Sequence, residues 1–216
     1  MSPSTGGKPE DRNRFGDRAI EVLAVLLLGI ATIGSAWCGY QASSWNSEEG
    51  DLAREALDAQ VEGARLFGLA TQTVSYDTNM VAQYAQAVVE ENDALIRFYR
   101  ATLIRPGFLP VLDRWEEEIA RGEAPTNLLA DQEYLDEQLT DYRATASRGE
   151  AASVASQEAG ENAEDYVLTT LLFASALFFA GVTTSFRVRF ARLLMLAGAT
   201  LLIAYCASQL VEFPIV

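Results

Sequence analysis

The chain of 216 residues is acidic, with 30 Asp and Glu against 16 Lys and Arg and a formal net charge of -14. It contains no histidine, which excludes a histidine-ligated haem, a histidine-based zinc site, a Ser-His-Asp triad and a Glu-x-x-His di-iron site. Because an acidic surface repels nucleic acid, we expect no DNA or RNA partner.

Three blocks without a charged residue contain much of the apolar half of the composition: residues 22–40, 166–186 and 193–211. A helix of about 20 apolar residues is long enough to cross a bilayer core of about 30 Å. The sequence therefore predicts an all-α membrane protein with transmembrane helices at 21–41, 166–186 and 193–211. The alternative of a cleaved signal peptide at the first block is disfavoured, because its apolar stretch exceeds the usual length of about 7–15 residues.

Basic residues flank these blocks in a pattern that sets the predicted topology. Positive residues in short flanking segments stay on the cytoplasmic side of a membrane. The pattern places the tail 1–20 and the link 187–192 in the cytoplasm, and the acidic domain 42–165 and the tail 212–216 outside. The basic residues concerned are Lys8, Arg12, Arg14, Arg18, Arg187, Arg189 and Arg192.

The predicted outer domain begins with a long helix that has no proline between Ser43 and Arg105. A seven-residue spacing with small residues indicates a coiled-coil-like seam, which Asp77 and Glu91 interrupt. We expect a break near residues 71–79, where β-branched and polar side chains weaken the helix, and hence a compact bundle of three or four helices. The alternative is a long stalk that pairs with another subunit. The seam positions are Leu52, Ala59, Leu66, Thr73, Met80, Ala87, Ala94 and Ala101, with companions at Ala56, Gly63, Ala70, Asp77, Tyr84, Glu91 and Phe98.

Prolines and glycines predict the turns of this domain. A tip turn at 105–110 should end the first helix, because Pro106 has no backbone donor. The tip-turn residues are Arg105, Pro106, Phe108 and Pro110. A helix over 111–121 ending at Gly122, a turn at 124–127 and a final helix running through Gly149 and Gly160 into the second block complete the expected order.

Candidate interfacial residues cluster where the first two blocks meet the domain: Trp37, Tyr40, Gln41, Trp45, Asp165 and Tyr166. Aromatic side chains at such a boundary indicate an interfacial belt, and Gln41 is expected to contact Asp165 or Tyr166. The alternative is a binding patch. The spacing of Ala31, Ser35 and Gly39 predicts a helix-packing stripe, either within the subunit or between subunits.

No residue pattern predicts a metal, a cofactor or a catalytic group. The run 116–118 with Asp113 lacks the glycine turn of a calcium loop and indicates a solvated helix face. Cys38 and Cys206 lie in apolar blocks and are expected to be packing residues, with a disulfide between them as the alternative.

Three stretches resemble a widespread family of bacterial membrane proteins known only as a domain of unknown function. They are AWCGYQASSW at 36–45, RPGFLP at 105–110 followed by Trp115, and AEDYVL at 163–168 continuing to Gly181. The resemblance covers nearly the whole chain and departs at Gly107, where the family usually has an acidic residue. It implies the same order of spans and a bacterial inner-membrane location, and it implies no activity.

These features together predict a non-catalytic membrane scaffold or interaction protein. Its partners would be the lipid bilayer and either further copies of itself or other envelope proteins. The first alternative is a subunit of a channel or transport complex, although the blocks 22–40, 166–186 and 193–211 carry no charge and no proline. The second is an envelope sensor that signals through a partner, since little of the chain would lie in the cytoplasm.

Overall fold

The computed structural model describes the backbone of residues 9–123, 131–186 and 188–216, with side chains from Arg18 onward except that of Thr184. Regular structure in these ranges is entirely helical, as predicted. The α-helices are α1 (Pro9–Val89), α2 (Asp93–Phe98), α3 (Leu109–Ala120), α4 (Gln132–Val182) and α5 (Arg189–Leu210). A π-helical turn at Tyr99–Leu103 and a 3-10 turn at Pro106–Phe108 connect α2 to α3.

The described residues form two compact units. We call Met1–Leu52 together with Val154–Val216 the apolar unit, and Ala53–Ser153 the acidic unit. The acidic unit has 18 Asp and Glu against nine Arg, of which Arg65 and Glu62 form one of several exposed ion pairs.

The apolar unit is a three-helix bundle made from α1, α4 and α5. At one end Ala24, Leu27, Ala180, Leu196 and Ala199 are buried together. At the other end a second cluster contains Ala31, Cys38, Ala42, Tyr166, Phe173, Ala176 and Cys206. On α1, Gly34 leaves room for the Phe173 ring of α4, since an added Cβ would lie 2.5 Å from that ring.

The outward faces of this bundle are apolar. On α1, six large side chains from Val22 to Ile33 are between 45% and 73% exposed. Leu171 and Phe178 on α4 and Leu194 and Leu201 on α5 are exposed to a similar degree. All three helices are long and apolar enough to cross a membrane, which fits the predicted membrane protein.

In the acidic unit, α1 packs antiparallel against α4 through small residues. Gly149 lies so close to α1 that an added Cβ would be 3.0 Å from the Ala59 Cβ. Four residues further along α1, Gly63 faces Tyr142 and Thr145, and the Phe67 and Tyr142 rings are 5.3 Å apart. Five positions of the predicted seam, Ala59, Gly63, Ala70, Tyr84 and Ala87, are buried.

The expected helix break near residues 71–79 is wrong, because α1 continues to Val89. The polar side chains donate hydrogen bonds to backbone carbonyls of the preceding turn of the same helix. Thr71 donates to the Phe67 carbonyl, Thr78 to that of Val74 and Asn79 to that of Ser75. The chain instead reverses at residues 90–92, where Glu91 has a φ of 52° and the Asn92 side chain caps the Leu95 amide.

The segment after this turn runs back beside α1. Tyr99 donates to the Gln83 side chain, and Tyr76 donates to the Leu103 carbonyl. As the returning segment proceeds, its residues therefore contact progressively earlier positions of α1. The prediction that the first helix ends at residues 105–110 is therefore wrong, and the seam positions Glu91, Ala94 and Phe98 are exposed. Val81, Tyr84, Ile104, Phe108, Val111, Leu112 and Tyr134 form the core of this part.

The remaining predicted elements agree with the structure where it describes them. The expected helix over 111–121 is α3, which begins two residues earlier and is followed by Gly122 with a φ of 73°. The expected turn at 124–127 lies outside the described residues. The last helix resumes at Gln132, where the Asp131 carboxylate accepts the Tyr134 amide, and it runs through Gly149 and Gly160 as predicted.

The contact at Gly149 yields a stability prediction. A Gly149→Leu side chain would overlap Ala59 and the Ala56 carbonyl, and such overpacking costs about 1–3 kcal/mol. We expect the thermal midpoint of the detergent-solubilised chain, followed by circular dichroism, to fall by about 4–8 °C. Gly50→Leu is the control, because a side chain at Gly50 meets open space. The thermal midpoint of this variant should stay the same or rise, since leucine favours a helix more than glycine does. Equal midpoints for the two variants would contradict close packing at Gly149.

Candidate functional site

Two of the predicted interfacial residues lie on the outside of the apolar unit. The Trp37 and Tyr40 side chains are exposed, and their ring centroids are 6.2 Å apart. Amphipathic rings with this exposure suit the boundary between lipid and water. Asp165 is also exposed.

The other three converge on residues 213–216. The Trp45 indole N–H and the Tyr166 hydroxyl both donate to the Pro214 carbonyl, at 3.2 and 3.0 Å. The Phe213 ring meets the Tyr166 ring edge-on at 5.3 Å. Gln41 is 1% exposed, its Oε1 accepts the Val216 amide at 3.4 Å, and its Nε2 has no partner among the described residues. The expected contact between Gln41 and Asp165 or Tyr166 is not among the hydrogen bonds that the structure shows.

The helix-packing stripe is only partly inside the bundle. Ala31 is fully buried, Ser35 is half-buried and Gly39 is exposed, so that a Cβ added at Gly39 would meet open space. The face of α1 that packs within the subunit instead follows Ala24, Leu27, Ala31, Cys38 and Ala42. Cys38 and Cys206 are free thiols in the same buried cluster, so the predicted packing role agrees with their position.

A buried carboxylate is the centre of the acidic unit. Asp77 is 2% exposed, and it accepts two bonds from Arg105, Nε at 2.9 Å and Nη2 at 2.5 Å. The Tyr134 hydroxyl donates to the same carboxylate at 2.5 Å. Burial, and then the Asp77 carboxylate, raise the pKa of Tyr134, so this phenol stays a donor at neutral pH. The bond to Asp77 also raises the pKa of Arg105.

A second network surrounds Glu116, for which the sequence predicts a solvated face. Tyr84 donates to Glu116, and Arg100 contacts both Glu116 and Asp113. Burial, followed by the bond to Glu116, raises the pKa of Tyr84 to about 12. The interpretation of the acidic run as entirely solvated is therefore wrong at Glu116, whose partners are distant in sequence.

The predicted tip-turn residues serve the core rather than a tip. Arg105 holds Asp77, and Phe108 is fully buried with its ring edge-on to Tyr134 at 5.0 Å. Pro106 begins the 3-10 turn and Pro110 lies in the first turn of α3, where a missing backbone donor has no cost. Sequence reasoning missed Tyr134, because a tyrosine in a polar helix gives no sign of its distant partners.

One face of α1 in the acidic unit is apolar and uncovered. Leu57 and Val61 are 60% and 71% exposed, and Ala64 and Gly68 follow them at spacings of three and four residues. At 3.6 residues per turn these positions lie opposite Ala59, Gly63 and Ala70, which face α4. We call residues 57, 61, 64 and 68 the outer stripe.

The described residues do not form the ligand set of a metal centre. Within residues 18–123, 131–186 and 188–216, no group of three or more metal-ligating side chains comes together. The buried titratable groups that the structure describes in the acidic unit are already engaged in ion pairs and hydrogen bonds.

Comparisons with known proteins found no family model, no curated protein and no solved structure that matches the chain.

The Asp77 network yields a second stability prediction. Asp77→Asn removes the charge that holds Arg105, whose side chain is 37% exposed, so water offsets part of the loss and the cost should be about 2 kcal/mol. Tyr134→Phe removes one hydrogen bond and should cost about 1 kcal/mol. Glu137→Gln, at an exposed position on α4 close to Tyr134, is the control and should change the free energy of unfolding by less than about 0.5 kcal/mol. Chemical denaturation followed by circular dichroism measures all three, and an Asp77→Asn variant as stable as the control would refute the network's role.

Proposed function

We propose that the chain is a non-catalytic integral membrane protein whose acidic unit lies outside the cytoplasm and serves as an interaction surface. The observation that carries the interaction role is the outer stripe. The rest of the proposal is supported by the apolar outer surface of the three-helix bundle and by the positions of its basic residues. The resemblance to bacterial membrane proteins of unknown function favours the inner membrane of a bacterium.

The topology is supported by the geometry of one end of the apolar unit. A small cavity of about 30 Å³ there is lined by Ile20, Glu21, Ala24, Thr183 and Arg192. The start of the first span and the link before α5 therefore lie at the same end. Arg18, Arg189 and Arg192 belong to that end, while Lys8 and Arg187 lie outside the described residues. Positive residues favour the cytoplasm, so the N-terminal tail is proposed to be inside.

The outer stripe fits a second copy of the chain. Its spacing of four, three and four residues is the spacing by which two helices pack as a coiled coil, and it continues to Thr71 and Ser75. Ala64 and Gly68 allow two helix axes to approach closely, as small residues do inside the subunit at Ala59 and Gly149. Two copies that enter one membrane in the same orientation present this helix in parallel. Each stripe position then meets its own counterpart.

Disulfide trapping tests this pairing. In a background of Cys38→Ala and Cys206→Ala, we expect Val61→Cys to form a covalent dimer in membranes after mild oxidation. Leu69→Cys is the matched control, since Leu69 is also an exposed apolar residue but lies off the stripe. Adding Leu57→Glu should suppress the Val61→Cys dimer, because two like charges would face each other one turn away.

Equal dimer yields at positions 61 and 69 would show random collision rather than a seam. A Val61→Cys chain that stays monomeric under conditions in which its thiol reacts with a maleimide would exclude a homodimer through the outer stripe.

A further inference from the structure

A groove in the apolar unit combines an apolar wall with two carboxylates. It has a volume of about 510 Å³ and lies between α1 and α4, where the charge-free block of each helix ends. The α1 side presents Ser43, Asn46 and Glu49. From α4, Glu164 lines one end of the groove, and Val167 and Leu168 of the apolar block line the other end. One end of the groove is therefore polar and the other is continuous with the lipid-facing surface.

The polar end of the groove is acidic. Among the described residues, the structure shows no hydrogen bond or ion pair to the Glu49 or Glu164 carboxylates. The helix segments 42–49 and 158–165 together carry six acidic residues and no Lys or Arg. Glu49 is half-buried and Glu164 is exposed, so a ligand with a positive group is favoured here by charge-assisted hydrogen bonds to the two carboxylates.

The backbone beside Glu49 keeps this carboxylate at the groove. Gly160 leaves room for the Glu49 carboxylate, because an added Cβ would lie 3.1–3.4 Å from the Glu49 carboxyl atoms. Ser156 donates to the Glu49 carbonyl at 3.1 Å and ties this turn of α1 to α4. The Ala42 and Ala163 side chains line the groove floor and are buried.

We propose that this groove binds a membrane lipid with a primary-amine headgroup. The ammonium donates hydrogen bonds to Glu49 and Glu164, and an acyl chain follows Val167 and Leu168 into the bilayer. An anionic lipid is repelled by the six carboxylates of segments 42–49 and 158–165, and a quaternary ammonium has no N–H to donate. The inference rests on the proposed membrane location of the apolar unit, and it names a ligand that this location makes available.

Native mass spectrometry of the full chain in detergent tests the proposal, with phosphatidylethanolamine, phosphatidylcholine and phosphatidylglycerol added in turn. We expect phosphatidylethanolamine to bind at least about tenfold more tightly than the other two, the effect of one or more charge-assisted hydrogen bonds. The variant Glu49→Gln/Glu164→Gln should lose that preference. Glu158→Gln/Glu161→Gln makes the same change in net charge at exposed residues outside the groove, and it should keep the preference.

Three results would overturn the proposal: no preference among the lipids, an equal loss in both double variants, or displacement of the lipid by free ethanolamine at similar concentration. The last result would assign the groove to small amines rather than lipid. If the chain stays in the membrane and still forms the Val61→Cys dimer, such a result removes the lipid site alone. Recovery of the chain in the soluble fraction would instead remove the proposed function.

Discussion

The outer surface of the apolar unit is hydrophobic and unsuited to water, and the rest of the structure depends on this property. The three helices of this unit bury small residues such as Ala31, Ala176 and Ala199 against one another and turn their large apolar side chains outward. In water such a surface would cost about 25 cal/mol for each Å² exposed. In a bilayer the same surface is matched by acyl chains, and each helix satisfies its own backbone hydrogen bonds. The fold is therefore arranged for lipid as its solvent.

The same use of small residues holds the acidic unit together by a different balance of forces. Ala59 and Gly149 bring α1 and α4 into contact, but they bury little apolar area. Specific polar contacts add to this packing. Asp77 is tied to Arg105 and Tyr134, and Glu116 is tied to Tyr84 and Arg100. These two networks connect the returning segment 93–120 to the long helices, so the turn at residues 90–92 is fixed by contacts distant in sequence.

Local patterns in the sequence were sufficient for some of this fold. Charge-free length predicted the three apolar helices, and Gly122 marked the end of α3. Sequence reasoning failed where a polar residue has a distant partner. Asp77 was expected to interrupt the seam, yet its bonds to Arg105 and Tyr134 allow its side chain to be buried in the core. Threonine and asparagine near residue 75 were expected to break α1, but their side chains bond to carbonyls four residues earlier.

The candidate site was less predictable than the fold. Trp45, Gln41 and Tyr166 can be grouped from the sequence, because all three lie near the end of a charge-free block that faces the acidic domain. Their shared partner, the segment 213–216, follows from how α5 packs in the bundle, and the sequence has no spacing that indicates it. The outer stripe is readable from its heptad spacing once the structure shows which face of α1 is already covered.

The three helices are proposed to cross a membrane with the acidic unit outside. Labelling with a membrane-impermeant maleimide tests this proposal directly, in intact cells that express the chain with Cys38→Ala and Cys206→Ala. We expect a cysteine at the exposed position Glu117 to react in intact cells, and one at the exposed position Val188 to react only after the cells are permeabilised. The opposite pattern, or equal labelling of both positions before permeabilisation, would contradict the account.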